Sequence, residues 1–201
     1  MEYQITTTMP MGMSPHSHIG HVHDIGKMMD SLPADAKYFT LSDKIGPIDK
    51  TTKRTILDIQ CHHLIPNNKF ASSFFTGGAG GMVREAVKIK NRFKNTMPTV
   101  LNIVVGPDRE EWANRFVRSV FDNKIDGVTS KDFKDIVVHC NLTRWNKNVS
   151  GTAMRTAIVE NRFEDYCRML GGDIFARETA RRWFILCQEA ITRGDLKVKR
   201  Y

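Results

Sequence analysis

A nearly continuous apolar run at residues 99–105, Thr-Val-Leu-Asn-Ile-Val-Val, limits most strongly what this chain can fold into. Strands that are buried on both faces read as unbroken apolar runs, whereas strands with one wet face alternate apolar and polar residues. Parallel strands also need long crossover connections, which are usually helices. The run therefore predicts the central strand of a parallel sheet that is covered by helices on both faces.

Shorter strand-like segments alternate with helical patterns on both sides of this run. Strands are predicted at 3–9, 36–42, 70–76 and 135–139, the last of them buried, and helices at 19–32, 50–63, 82–93 and 109–120. The alternation predicts an α/β fold with a doubly wound parallel sheet. Helical patterns continue from Gly151, so we predict an α/β domain at 1–170 and a C-terminal helical extension at 171–201.

Size and composition narrow the class of protein. The chain has 201 residues, 41% of them hydrophobic, which is enough for one domain with a proper core. The sequence shows no apolar run of membrane-spanning length and no signal peptide, so we expect the cytoplasm, or the host cytoplasm for a viral protein. The four cysteines are scattered, which indicates neither a disulfide framework nor a zinc knuckle.

The formal net charge of +8 favours anionic partners. Nucleic acid, nucleotides and anionic lipid are the candidates. The basic residues are spread over several segments rather than gathered in one stripe, which favours a small anionic ligand over nucleic acid and gives no indication of a membrane.

Four polar segments each follow a predicted strand, at residues 12–21, 42–44, 106–109 and 149–155. Ligands of open parallel sheets bind outside the carboxyl ends of the strands, so we expect these segments to meet. In the first segment, His18 and His21 lie three residues apart on one face of a predicted helical turn. The free N–H groups and the dipole of such a turn favour anions. The segment therefore predicts a polyphosphate site.

The same segments, in this order, resemble the nucleotidyltransferase superfamily of cytidylyl- and adenylyltransferases. Its first motif appears here as Gly-Met-Ser-Pro-His-Ser-His-Ile-Gly-His at 12–21, and its last as Val-Ser-Gly-Thr-Ala-Met-Arg at 149–155. Leu-Ser-Asp-Lys at 41–44 and Val-Gly-Pro-Asp-Arg at 105–109 are similar to the branch common in large tailed bacteriophages. The resemblance covers about residues 3–170 and implies a Rossmann-like fold, with the last helix as an addition.

The resemblance implies that an acceptor phosphate attacks the α-phosphorus of ATP or CTP and that pyrophosphate leaves. It implies that His18 and His21 donate to the α- and β-phosphates, that Arg155 clamps the β- and γ-phosphates, and that Lys44 holds the acceptor phosphate, with Lys50 and Lys53 as alternatives. The remaining implied nucleotide contacts are Gly12, Gly20, Asp108, Arg109, Ser150, Gly151 and Thr152.

Mg²⁺ is the implied cofactor. It would bridge the triphosphate oxygens and keep most of its waters, with no metal ligand from the protein. The implied acceptor is a phosphorylated small molecule, either nicotinamide mononucleotide, or a sugar phosphate or phosphorylated alcohol.

The sequence departs from the family motif at two positions. Met13 stands where the family has an arginine, and His16 stands where it has a proline. The first change motivates an alternative, in which the chain is a non-catalytic basic phage protein of the same fold with a structural or nucleic-acid-associated role. A second alternative places a transition metal among His16, His18, His21 and His23.

Two further features have simpler interpretations. The glycine run at 77–81 lacks the Gly-Lys-Ser/Thr ending of a phosphate-binding loop, which favours a flexible loop before a helix. The apolar residues of the last predicted helix, 174–193, could pack on the domain or on another subunit, so a homo-oligomer stays open.

Overall fold

The computed structural model describes residues 2–11, 16–42, 46–65, 74–92, 97–140 and 148–196. The contacts divide the chain into two compact units. The first comprises residues 1–11, 27–43 and 72–143, and the second comprises residues 12–26, 44–71 and 144–201. The boundary of 170 that the sequence predicts between the α/β domain and its extension stays a prediction.

The first unit contains a five-stranded, wholly parallel sheet. Its strands, in chain order, are β1 (Tyr3–Thr8), β2 (Ala36–Thr40), β3 (Phe74–Phe75), β4 (Thr99–Val105) and β5 (Asp135–Cys140). Their order across the sheet is β3-β2-β1-β4-β5. In register, Ile5 of β1 lies between Ala36 of β2 and Leu101 of β4. This order reverses between β1 and β4, which is the topology of a doubly wound, Rossmann-like α/β fold. The predicted fold class is confirmed.

Seven α-helices accompany the sheet within the described residues: α1 (Lys27–Ser31), α2 (Lys50–Leu64), α3 (Gly78–Arg92), α4 (Glu110–Phe121), α5 (Gly151–Val159), α6 (Phe163–Leu170) and α7 (Arg177–Thr192). None of the helices in this described part is long and apolar enough to cross a membrane. The predicted helix at 19–32 is interrupted by a π-helical turn, His21–Gly26, ahead of α1. Such turns are rare and recur at functional sites.

The core of the first unit lies between one face of the sheet and the helices α3 and α4. Leu101 and Ile103 of β4 pack there with Met82 of α3 and Phe116 of α4. The other face carries a polar ladder. The Asn102 amide donates to Thr6 Oγ1 at 3.3 Å, and Asn102 Oδ1 accepts from His139 Nε2 at 3.3 Å.

The sequence predicts a buried strand at 135–139, and the predicted burial is wrong. The strand β5 is only partly buried, because it lies at the edge of the sheet.

The glycine run at 77–81 is not the loop that its composition indicates, because α3 begins at Gly78. Positive φ angles of 91° at Gly77 and 62° at Gly78 turn the chain into the helix. At Gly81 a Cβ atom would lie well within the van der Waals contact distance of the Thr76 carbonyl oxygen. Glycine is therefore required there by close approach of the backbone.

The second unit has a helical core of its own. Tyr166 of α6 and Phe184 of α7 are fully buried, with ring centroids 5.2 Å apart in an edge-to-face contact. Phe163 packs edge-to-face on Phe184 at 5.3 Å. The last predicted helix, 174–193, is divided into a short 3-10 turn, Gly172–Ile174, and α7. The face of α7 that bears Phe184 and Cys187 lies in this core, while Leu186 is 43% exposed.

Candidate functional site

His18 and His21 stack on each other in the second unit. Their ring centroids are 4.0 Å apart and their planes differ by 29°. The His21 N–H donates to the His18 carbonyl at 3.1 Å, which closes the turn between them. His18 is 6% exposed and His21 is half-buried. A polyanion beside the pair could accept hydrogen bonds from the ring nitrogens.

Gly20 brings this pair against a second segment of the same unit. A Cβ atom at Gly20 would lie 2.9 Å from His18 Nδ1 and 3.3 Å from the Val149 carbonyl oxygen. The first distance is shorter than carbon–nitrogen contacts allow, so a side chain at this position displaces the His18 ring. The close approach also places the histidine turn next to Val149, which immediately precedes the start of α5.

The N-terminus of α5 carries the hydroxyls and the guanidinium that the sequence predicts for this site. Ser150 is the N-cap, and its Oγ accepts from the Ala153 N–H at 3.0 Å. One turn on, Arg155 Nη2 donates to Thr152 Oγ1 at 3.2 Å. The guanidinium thus folds back towards the first turn, and a Cβ atom at Gly151 would lie 3.5 Å from Arg155 Nη1. Cationic and N–H donors therefore share one helix end, which favours an anion.

A buried hydrogen-bond network holds the residues just before the histidine pair. His16 Nδ1–H donates to the Ser17 carbonyl at 2.8 Å, so Nε2 is the acceptor of the bond from the Tyr166 hydroxyl at 2.5 Å. Ser17 Oγ donates to Gln60 Oε1, and Gln60 Nε2 donates to the Leu170 carbonyl at 2.7 Å. Sequence reasoning missed this network, because its members lie 43 to 150 residues apart and no local pattern marks them.

Burial dominates the electrostatics of this network. It lowers the pKa of His16 to about 4, against the effect of the bond to the Ser17 carbonyl and with a further contribution from the charge of Lys53. His16 is therefore neutral near pH 7. Burial likewise raises the pKa of the Tyr166 phenol well above its usual value. The hydroxyl therefore stays protonated and is the donor of the hydrogen bond to the imidazole.

Lys53 of α2 is a buried lysine among the described residues of the second unit. It is 6% exposed, and its ammonium makes no hydrogen bond or ion pair with the residues that the structure describes. Burial lowers its pKa, and the fields of Cys187 and Asp49 oppose this only in part. A Cβ atom at Gly46 would lie 2.7 Å from Lys53 Nζ, so Gly46 lies directly beside the ammonium. An anionic ligand beside this lysine would stabilise its charged form.

Asp108 and Arg109 belong to the first unit, in a 3-10 turn (Pro107–Arg109) after β4, where their side chains form an exposed ion pair at 3.6 Å. Their contact with the nucleotide stays a prediction. Gly12 and Lys44 lie outside the described residues. Lys50, the other alternative for the acceptor phosphate, is exposed at the start of α2.

The described residues contain no group of three or more His, Cys, Asp or Glu side chains that could hold a metal ion. The alternative of a transition-metal site also meets a specific obstacle, because both ring nitrogens of His16 are engaged in hydrogen bonds. A Mg²⁺ ion that arrives on a triphosphate fits the donor set better, because it takes its ligands from phosphate oxygens and water.

Neither a comparison with protein-family models nor a comparison with curated proteins finds a match for this sequence.

Proposed function

We propose that the chain is a nucleotidyltransferase, which transfers a nucleoside monophosphate from ATP or CTP to a phosphate-bearing small molecule and releases pyrophosphate. The close approach of Gly20 to Val149 is the observation that carries the proposal. It sets the stacked imidazoles of His18 and His21 beside the helix end that bears Ser150 and Arg155, as a bound triphosphate requires.

The proposed reaction needs positioned charge more than a strong base. An oxygen of the acceptor phosphate, already an anion, forms a bond to the α-phosphorus. The bond from that phosphorus to the oxygen of the β-phosphate breaks, and pyrophosphate takes the electron pair. No proton has to move, so catalysis consists of orienting the two phosphates and stabilising the charge on the transferred and leaving groups.

The described residues have distinct roles in this scheme. His18 and His21 donate to the α- and β-phosphates, and the proton on each ring stabilises negative charge there. Ser150 and Thr152 add donors at the start of α5, and Arg155 binds the terminal phosphates. Mg²⁺ supplies charge neutralisation on the triphosphate when it is bound. Lys53, whose side chain is largely buried and whose charge acts on His16, holds the acceptor phosphate.

A screen of phosphorylated acceptors against ATP and CTP, read by Mg²⁺-dependent pyrophosphate release, tests this function. The panel includes nicotinamide mononucleotide, sugar phosphates and phosphorylated alcohols, and calorimetric titration of each triphosphate, with and without Mg²⁺, accompanies it. We expect one triphosphate to bind and one acceptor class to support turnover. A chain that binds neither ATP nor CTP is not a nucleotidyltransferase.

One observation favours the non-catalytic alternative, a basic protein associated with nucleic acid. The second unit holds 17 Lys and Arg against 10 Asp and Glu, whereas the first holds 13 against 12, so +7 of the net charge of +8 belongs to the second unit. Under this alternative, nucleic acid binds and is released by salt, while the triphosphates do not bind. The same titrations therefore decide between the two functions.

Gly20→Ala tests whether the His18 ring must keep its place. The added methyl group pushes the ring away from its position, so we expect the affinity for the magnesium complex of the bound triphosphate to fall by roughly tenfold to a hundredfold. Calorimetry measures the affinity. Gly80→Ala in α3 is the matched control, because its Cβ meets only the flexible end of the Arg84 side chain. Equal affinities for the two variants would contradict the assigned role of His18.

Lys53→Met separates binding from stability. Because burial lowers the pKa of Lys53, the unfolded chain binds this proton more tightly than the folded chain, and the charged group destabilises the fold at pH 7. We expect methionine, which is similar in size, to raise the free energy of unfolding by about 1 kcal/mol. At the same time the KM for the acceptor should rise at least tenfold, with the triphosphate affinity unchanged. A destabilised variant with an unchanged KM would refute both parts.

A further inference from the structure

We propose that Tyr166 and Gln60 are positioning residues, whose buried hydrogen bonds to His16 and Ser17 set the path of the segment that presents His18 and His21. The claim that this path matters for a triphosphate rests on the proposed function. The claim that the two side chains fix it rests on the contacts of the second unit alone.

The geometry of the network is specific. The imidazole of His16 is fixed at both nitrogens, by the Ser17 carbonyl at 2.8 Å and by the Tyr166 hydroxyl at 2.5 Å. Its ring also lies edge-on to Tyr166, with centroids 5.3 Å apart, and against Trp183 at 6.2 Å. His16 is 2% exposed and Tyr166 is fully buried. A ring that is bonded at both ends within a packed core has one orientation, and it holds the backbone that bears it.

Gln60 fixes the next residue from the other side. Its Oε1 accepts from the Ser17 hydroxyl, and its Nε2 donates to the Leu170 carbonyl at 2.7 Å and to the Ser17 carbonyl at 3.4 Å. Ser17 and Gln60 are both fully buried. The chain just before His18 is thus attached to α2 through Gln60 and to α6 through Tyr166. The histidine pair follows directly, within the next four residues.

The four side chains of the network, His16, Ser17, Gln60 and Tyr166, are closed off from solvent. We therefore assign them no direct contact with a ligand. Leucine and phenylalanine at these positions would fill the same core without the cost of burying polar groups. Compared with apolar packing, the hydrogen bonds give a single fixed orientation to the segment that bears His16 and Ser17.

Tyr166→Phe is the central test, because it removes the hydroxyl and keeps the ring in the core. The acceptor nitrogen of His16 is then buried without a donor, and we expect the affinity for MgATP or MgCTP, whichever the chain binds, to fall about tenfold. Phe184→Leu is the matched control. It loosens the same aromatic core, since Phe184 packs on Tyr166, but it removes no hydrogen bond of the network. Its affinity should stay within about twofold of the parent chain.

A second readout does not depend on any nucleotide. In the ligand-free chain with ¹⁵N-labelled histidine, we expect Tyr166→Phe to shift the ring resonances of His18 and His21, and Phe184→Leu to leave them in place. Should Tyr166→Phe fail to fold, Gln60→Met and His16→Gln are compared in the same way. His16→Gln keeps an acceptor for the hydroxyl and should preserve the resonances, whereas Gln60→Met should shift them.

The outcomes separate the two proposals. If the parent chain binds neither nucleotide, the proposed function fails, and the histidine resonances alone decide on the positioning role. If Tyr166→Phe changes affinity and resonances no more than Phe184→Leu does, the network only stabilises the core and the positioning role is refuted.

Discussion

We expect His21→Ala to lower pyrophosphate release by a factor of about 10² to 10³, which is the cost of removing one preorganised donor from the charge that develops on transferred phosphate. His21 is the half-buried member of the stacked pair, whereas His18 is almost fully buried. Turnover is measured as Mg²⁺-dependent pyrophosphate release with the acceptor found by the screen.

His62→Ala is the control for this prediction. His62 lies exposed in the last turn of α2, where an imidazole contributes only weakly through the helix dipole. Both variants should retain the far-ultraviolet circular dichroism of the parent chain, and their free energies of unfolding in urea should stay within about 0.5 kcal/mol of its value. Full activity of His21→Ala in a folded chain would overturn the mechanism.

Gly81→Ala should have the largest effect on stability. The added methyl group meets the Thr76 carbonyl, which is backbone and cannot rotate away, so the start of α3 must shift against the sheet. We expect a loss of about 3 kcal/mol in the free energy of unfolding, at the upper end of the usual cost of overpacking. Urea denaturation of both units, followed by circular dichroism, measures it.

The neighbouring variant Gly80→Ala supplies the contrast, one residue away on the same helix. Its Cβ meets only the guanidinium of Arg84 at 3.1 Å, which can move aside. Since alanine is the better helix former, the stability should be unchanged or higher by up to about 1 kcal/mol. Similar losses for both variants would mean that the loss at Gly81 does not come from the close approach of the Thr76 carbonyl.

The central strand could be predicted from the sequence, because burial on both faces of a sheet requires a run of apolar residues. Residues 99–105 are apolar except for Thr99 and Asn102, and they form β4 with the same bounds. The edge position of β5 could not be predicted in this way, since Val137 and His139 are equally compatible with a central strand. The exposure of β5 follows from the order of the strands across the sheet, and the sequence of one strand does not specify that order.

The candidate site could be predicted only as far as short-range spacing extends. The separation of His18 and His21 is a local property, and the stacked pair has the geometry that the spacing indicates. The bond between His16 and Tyr166 spans 150 positions, and Lys53 looks like any other helix lysine until its burial is known. The π-helical turn after Gly20 was not predicted either. Its hydrogen bonds join residues five apart instead of four, and a single turn is too short to produce a recognisable spacing of apolar residues.

The unequal charge of the two units bears on the kinetics of encounter. With +7 on the second unit and +1 on the first, we expect an approaching triphosphate to be attracted to the unit that holds the stacked imidazoles before any contact forms. Such steering can accelerate association by tenfold or more, and it weakens as added salt shortens the screening distance below about 8 Å. The rate of capture should therefore depend on ionic strength much more than the rate of escape.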